Sequence, residues 1–370
     1  MQKQYKVEFF DNEFSLVGHS AILSPAISMD YLTNNASTLE CVNAIDGLKQ
    51  YHLAHVTDEA GNIVFQGIVY GFQQEKDALM QVTVKPLLAL LDRAFTTDGY
   101  ITQYQTVESW LAHFLETNYG GNDNVPESFK GFEVNQLTST AIAEDRDPEM
   151  AATMNMSDYA ISVLQGYGVV VKAAFDPQGK TFTFNIERSK KETTVEADLK
   201  NVVSKTFNID GDGERYNLAR LFFVDSETET KTERWFALNA DGSIVDTTPP
   251  NYHLSNISPP LMVTYADIGS GYNTTDKVPD ENVWEQKARE VLKPEADSQQ
   301  IELAFSETDR VVRLGVEQIG QKVKIRHDGS IYNARLTAVS VGNGVKNLTF
   351  GFARTDLTTI LNFQRRGKTW

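Results

Sequence analysis

A stretch near the start of this chain recurs near its end. With Gly61 placed on Gly329, HLAHVTDEAGNIVFQGIVYGFQQEKDALMQVTV (52–84) lies over VKIRHDGSIYNARLTAVSVGNGVKNLTFGF (323–352). Ile63 then falls on Ile331, Ile68 on Leu336, Met80 on Leu348, Val82 on Phe350 and Val84 on Phe352, and each copy has an apolar strand upstream, TLECV and IELAF. Apolar residues at every second position mark half-buried strands. Both copies therefore read as a strand, a tight turn at glycine, a long strand, a polar hairpin and a final strand. Any two antiparallel meanders share part of this pattern. The sharper reading is two copies of one small β-domain in a single chain, so that a trimer would present six equivalent β-domains to a sixfold ring.

At 370 residues the chain exceeds one compact core. The expected fold class is α+β, predominantly β: two related small β-barrel or sandwich domains, an α+β domain between them, and an inserted irregular α+β domain. Residues 1–95 form the first β-domain from YKVEFF, STLECV, YHLAHVTD, NIVFQGIVYGF and LMQVTVK, with a short helical piece opening at Pro86. Residues 96–195 change period. TVESWLAHFLETNY carries Val107, Leu111, Phe114 and Leu115 at helical spacing, and MSDYAISVLQGYG offers Ser157 as N-cap and Gly166 or Gly168 as stop. VVVKAAF and KTFTFNIER then read as a hairpin around Asp176-Pro177-Gln178-Gly179. The second β-domain is expected from 196–225 and 300–355. It is interrupted by a polar insertion at 226–299 that ends in the helix DENVWEQKAREVL, with Asp280 as its cap. Residues 356–370 form a tail in which Arg365, Arg366 and Lys368 could dock on an acidic neighbour.

Charge narrows the function. A formal net charge of −16 is the wrong sign for gripping phosphates, although an acidic wall would let DNA pass without holding it. The one cysteine, Cys41, excludes an intrachain disulfide. No stretch approaches the length of a membrane span and the start lacks a signal-type apolar region, so a protein made in the cytosol, or one exported by a route invisible in its sequence, is expected.

The search for chemistry returns little. His52-Leu53-Ala54-His55 lacks the helical spacing of a zinc protease, and strand residues three apart face opposite ways. There is no nucleophile elbow and no phosphate loop, and GNG at 342–344 joins two strands. Glu144, Asp145 and Asp147 read as a solvated acidic run. The stretch FNIDGDGERYN offers Asn208, Asp210 and Asp212 as oxygen donors. An EF-hand fails there because Ala219 occupies the twelfth position and strands, not helices, flank the loop. It reads as a turn between strands, with a weak cation site as the lesser alternative. No catalytic residue, cofactor or firm metal site is expected. Trp110 and Trp284 sit in amphipathic helices and read as core, whereas Trp235, Phe236, Tyr252, Tyr265 and Tyr272 populate the insertion and are the interface candidates.

Three groups of segments carry a family resemblance: TLECV…VFQGIVYGF…VTVKPLLALLD, NVVSKTFNI…YNLARLFFVD…RWFALNADGSI, and LGVEQIGQKVKIRHDGSIYNARLTAVSV. Their order over nearly the whole chain resembles the hub proteins of phage tail tips. These are the tail-associated (Tal) proteins of siphophages, related in fold to the baseplate hubs of contractile tails. The resemblance implies a virion structural protein assembled in the host cytoplasm. It would be a homotrimer joining the hexameric distal tail protein to the receptor-binding proteins, and would close or line the channel through which DNA leaves. Because the sequence stops at Trp370 without a hydrolase extension, it resembles the short, non-lytic form. The competing expectation is a cell-wall carbohydrate-binding module or polysaccharide hydrolase that uses the aromatic residues of the insertion.

Overall fold

The computed structural model describes residues 4–74, 79–92, 105–119, 131–142, 155–209, 216–225, 228–239, 242–247, 263–268, 278–295, 299–309 and 311–351. The architecture is α+β and predominantly β. The first six strands are β1 (Tyr5–Phe10), β2 (Leu16–Asp30), β3 (Ser37–Cys41), β4 (Leu53–Asp58), β5 (Ile63–Gln74) and β6 (Met80–Pro86). They pair in the order β1-β4-β5-β6-β3-β2, and β2 returns to β1, so the sheet closes into a six-stranded barrel. Alternation fills it. Val7, Phe9, Leu39, Cys41, Val56, Phe65, Val82 and Val84 are wholly enclosed, while their neighbours along each strand are more exposed. Each such side chain contributes about 1.5–3 kcal/mol of apolar burial if large.

The chain then builds an α+β unit from α1 (Val107–Tyr119), β7 (Phe132–Gln136), α2 (Met156–Tyr167), β8 (Val169–Asp176) and β9 (Thr181–Arg188). The strands order β7-β9-β8, and the helices lie against them. Trp110 and Tyr159 meet between the helices, the indole Nε1 donating to the phenol at 2.9 Å. The N-cap of α2 is Asn155, whose Oδ1 accepts the Asp158 N–H at 2.8 Å. The expected cap, Ser157, instead accepts from Asn34 Nδ2 at 3.0 Å and ties the helix to the loop after β2. Gly168 ends α2 at φ 70°, the left-handed cap that glycine adopts without strain.

A second set of six strands follows, split by an insertion: β10 (Glu192–Glu196) and β11 (Val202–Ile209), then β12 (Leu218–Val224), β13 (Lys231–Leu238), β14 (Ile244–Asp246), β15 (Val263–Asp267) and α3 (Glu281–Leu292), then β16 (Gln299–Ser306), β17 (Lys322–His327), β18 (Ser330–Gly342) and β19 (Val345–Phe350). The second sheet runs β10-β17-β18-β19-β16-β11. Matched in chain order, this repeats β1-β4-β5-β6-β3-β2 strand for strand. The predicted repeat is thus a repeat of topology. Gly61 and Gly329 both hold positive φ at the equivalent turn, 81° and 76°. The hairpins differ in length: Gln74 faces Met80 in the first copy, whereas Val339 faces Leu348 in the second, which zips three pairs further to the Asn343-Gly344 turn.

One strand breaks the equivalence. β1 is antiparallel to both β4 and β2 and closes the first barrel, whereas β10 runs parallel to β17 and, among the described residues, no pairing joins it to β11. The two six-stranded units are themselves joined, because Ile27–Asp30 of β2 continue past the first barrel and pair with Ala338–Val341 of β18.

The insertion forms its own sheet, β14-β13-β12-β15, with α3 packed on one face. Leu218–Val224, expected to pair within the second β-domain, belongs to this sheet through β13 and β15. Local alternation marks a strand but does not name its partner. The stretch FNIDGDGERYN therefore connects the second barrel to the insertion, since β11 and β12 lie in different sheets.

Candidate interface surfaces

The two barrels differ most at their edges. β18 has β17 along the first half of one edge (330–335) and β2 along the second half (338–341). In β5 the same edge carries β4 as far as Ile68, with Val69 held by His52 and Tyr51, and among the described residues no strand follows. There Tyr70 and Phe72 are 49% and 43% exposed, and Lys85 Nζ sits 4.2 Å from the Tyr70 ring. The counterpart positions Ala338 and Ser340 are half-buried under β2. β11 is open too. It pairs with β16 on one side and with no described strand on the other, and Val203 is 63% exposed. Its single charged residue, Lys205, does not guard that edge, because Nζ is held 2.6 Å from Asp198 Oδ1.

In the insertion the register separates two neighbouring aromatic candidates. Phe236 lies opposite Ala219 and is buried with Leu221, Leu238 and Trp284 under α3. Trp235 lies opposite Arg220 on the other face, half-buried, with the guanidinium 5.6 Å from its ring and itself bonded to Glu233. On the α3 side Arg234 bonds both Asp246 and Glu281, which holds Glu281 below the usual carboxylate range. Tyr265 is at the β15 position opposite Arg220 in β12. Tyr252 and Tyr272 lie outside the described residues, as do Asp210, Asp212, Glu144, Asp145, Asp147 and the tail from 356. Asn208 is an exposed β11 residue opposite Gln300.

Among the described residues one trio has metal-like spacing, Asp198, His327 and Asp328, with ligand atoms within 4.8 Å of one another. A cation is already there. Lys205 is hydrogen-bonded to Asp198 and holds that carboxyl well below its ordinary range, with the Asp328 N–H and His327 adding to the effect. His327 also stacks on Phe207, ring centroids 4.3 Å apart. These side chains close by contact the corner that β1 closes by backbone pairing in the first barrel. His52 and His55 behave as structural residues: burial lowers both pKa values, and His55 meets Gln66 at 3.0 Å and the Phe175 ring edge-on.

Two further contacts lock the units together, and no motif announced either. Gln66 of β5 makes a peptide-like pair with Phe175 of β8: its Nε2 donates to the carbonyl at 2.6 Å, and the Phe175 N–H returns to Oε1 at 3.1 Å. Just after α3, Glu295 accepts from Arg188 Nη2 at 2.6 Å, from Lys322 Nζ at 2.9 Å and from Arg335, which is 1% exposed. Burial raises the Glu295 carboxyl, and Arg335 and Lys322 outweigh it, leaving it at about 2. The second guanidinium nitrogen of Arg335 donates to the Gly320 carbonyl at 2.9 Å. One carboxylate thereby joins the insertion, the α+β unit and the second barrel.

This arrangement of two six-stranded units, an α+β unit between them and an inserted sheet is similar in fold to solved tail proteins, among them prophage tail proteins. Solved structures share it end to end. A tail protein from Neisseria meningitidis is 13% identical, with a TM-score of 0.54 over 94% of this chain and 96% of that one. A 43 kDa prophage tail protein from Shewanella oneidensis is 11% identical, with a TM-score of 0.55 over 95% and 98%. A prophage tail protein from Listeria monocytogenes is 12% identical, with a TM-score of 0.53 over 98% of both chains. No protein-family model matches the sequence, and no curated protein does.

Proposed function

We propose that this chain is a structural protein of a phage tail tip, a homotrimeric hub of the siphophage tail-associated kind. It would join the hexameric tail tube and distal tail protein to the receptor-binding apparatus, and close or line the DNA exit channel. The observation that carries this reading is the duplicated strand order. Three copies of a chain with two equivalent β-units supply six, which resolves a threefold object against a sixfold ring. The full-length likeness to phage tail proteins supports it. So does the net charge of −16, which repels DNA in transit. On this reading the outer face of the insertion, with Trp235, contacts a neighbour, and the protein resides at the tail tip of the virion. Light scattering on the purified chain is expected to give three times the monomer mass alone, and a larger complex containing three copies when a distal tail protein is added. A monomer under both conditions contradicts the proposal.

A further inference from the structure

Where Gln66 meets Phe175, on the seam between the first β-unit and the α+β unit, a histidine stands beside the pair. Glu8, His55 and Gln66 form one row across β1, β4 and β5, each directly opposite the next. They share the outer face of the barrel, since the adjacent Val7, Val56 and Phe65 fill its interior. Gln66 is 8% exposed, and its amide is fully committed. Oε1 accepts the Phe175 N–H at 3.1 Å, while Nε2 donates to the Phe175 carbonyl at 2.6 Å and lies 3.0 Å from His55 Nδ1.

This arrangement fixes the state of the imidazole. Turning the amide over would set its NH2 against the Phe175 N–H and its oxygen against the carbonyl. Its second hydrogen therefore points at His55, and that contact is a hydrogen bond only when Nδ1 offers a lone pair. The ring is then neutral, with its proton on Nε2. A second proton, on Nδ1, would set N–H against N–H at the contact that holds Phe175.

We propose that His55 is a proton-operated latch on this seam: neutral, it holds Gln66 on Phe175, and protonated, it turns away and releases it. The surrounding charges give the protonated ring a place to go. Glu8 on β1 and Asp176 at the end of β8 attract it, and Lys6 on β1 opposes them. Its other neighbours are neutral, Gln66 on β5 and the Phe175 ring, centroids 5.7 Å apart. Burial outweighs both acids and holds the His55 pKa below its ordinary 6.5, in keeping with an acceptor role for Nδ1. Phe10 and Phe14 also pack on Phe175 and do not titrate, so acid loosens the seam locally and leaves the units attached.

The sign follows from linkage. In the open seam His55 protonates at its ordinary value, so opening becomes easier as pH falls below 6.5 and levels off below the depressed value. The gain is about tenfold for each pH unit between the two.

Hydrogen exchange on the full chain tests this, read as protection over the intrinsic rate. From about pH 8 to about pH 5 the Phe175 N–H is expected to lose protection at least about threefold, while residues 301–305 of the second β-unit keep theirs. In His55→Gln, whose oxygen can accept from Gln66 but does not titrate, the Phe175 protection should not vary with pH. Constant protection in the parent overturns the latch. So does a His55→Gln variant that keeps the parent's pH dependence, since His52 or another group would then carry it. Ring-nitrogen spectra of the parent provide a second readout. The signal missing from His55→Gln should be an Nε2–H tautomer at neutral pH, and an Nδ1–H ring there contradicts the proposal. If His55→Gln does not fold, Glu8→Gln replaces it. That change removes an attraction for the protonated ring from a partly exposed side chain, so the loss of Phe175 protection with acid should steepen. An unchanged profile in Glu8→Gln counts against the latch.

Discussion

Glu295 shows how much of this molecule hangs on single side chains. Its carboxylate meets Arg188, Lys322 and the enclosed Arg335, three cations from different elements. Glu295→Ala would leave the Arg335 charge buried without its acid, and breaking such a pair destabilises by about 3–5 kcal/mol. Denaturant unfolding of Glu295→Ala against the parent chain measures this, and Glu295→Gln should lose less because it keeps a hydrogen-bond acceptor. The same group sets an acid limit. Its carboxyl titrates at about 2 when folded against an ordinary 4.5, so its contribution is complete above the unfolded value and fades as pH falls through the folded one. We expect stability to drop between pH 5 and pH 2 in the parent, by up to about 3 kcal/mol from this group, and less in Glu295→Gln. At this scale the sequence told core from surface well where periodicity was strong, as at Trp110 and Trp284, both buried. It did not separate Trp235 from Phe236, because the face of a strand depends on what packs on each side.

Among the elements, the α2 stop was readable, whereas its N-cap, Asn155 in place of the expected Ser157, and the strand partners were not. Gly166 or Gly168 was expected to stop α2, and Gly168 does so in the left-handed conformation. It has a second duty that only the fold reveals: a Cβ there would come 2.5 Å from Arg335 Nη2. Gly329 has a similar φ, 76°, with open space around it. Gly329→Ala should therefore lose only the backbone term, about 1 kcal/mol, and Gly168→Ala clearly more, about 2–3 kcal/mol, because the Arg335–Glu295 contact must also shift. Thermal unfolding of the two variants gives the order, and equal losses would argue against the steric part. The strand Leu218–Val224 makes the converse point. Its alternation was plain, yet it belongs to the inserted sheet, since adjacency in sequence does not fix adjacency in a sheet.

For the molecule as a whole, the duplication is the central fact, and its imperfection is the informative part. The first β-unit closes through the backbone pairing of β1, whereas in the second, among the described residues, β10 runs parallel to β17 and β11 meets the β17 corner only through side chains. If three copies surround a DNA path, acidic side chains of the two β-units should face the axis, given the net charge of −16. Electron microscopy of the purified assembly should show a three-lobed ring with an acidic lumen, and a lysine-lined lumen would contradict this.

The sequence by itself determined the fold class, the two-copy plan, the helices and the stop of α2, and the lack of recognisable catalytic motifs. These rest on local periodicity and turn chemistry, which act over a few residues and survive without knowledge of the partner. The tertiary structure alone decided which strands pair, that β1 closes one barrel by backbone pairing while β10 runs parallel to β17 in the other, that Glu295 gathers three cations, and that FNIDGDGERYN leads out of one sheet into another. Those outcomes depend on contacts between residues tens to hundreds of positions apart, and no local pattern specifies them.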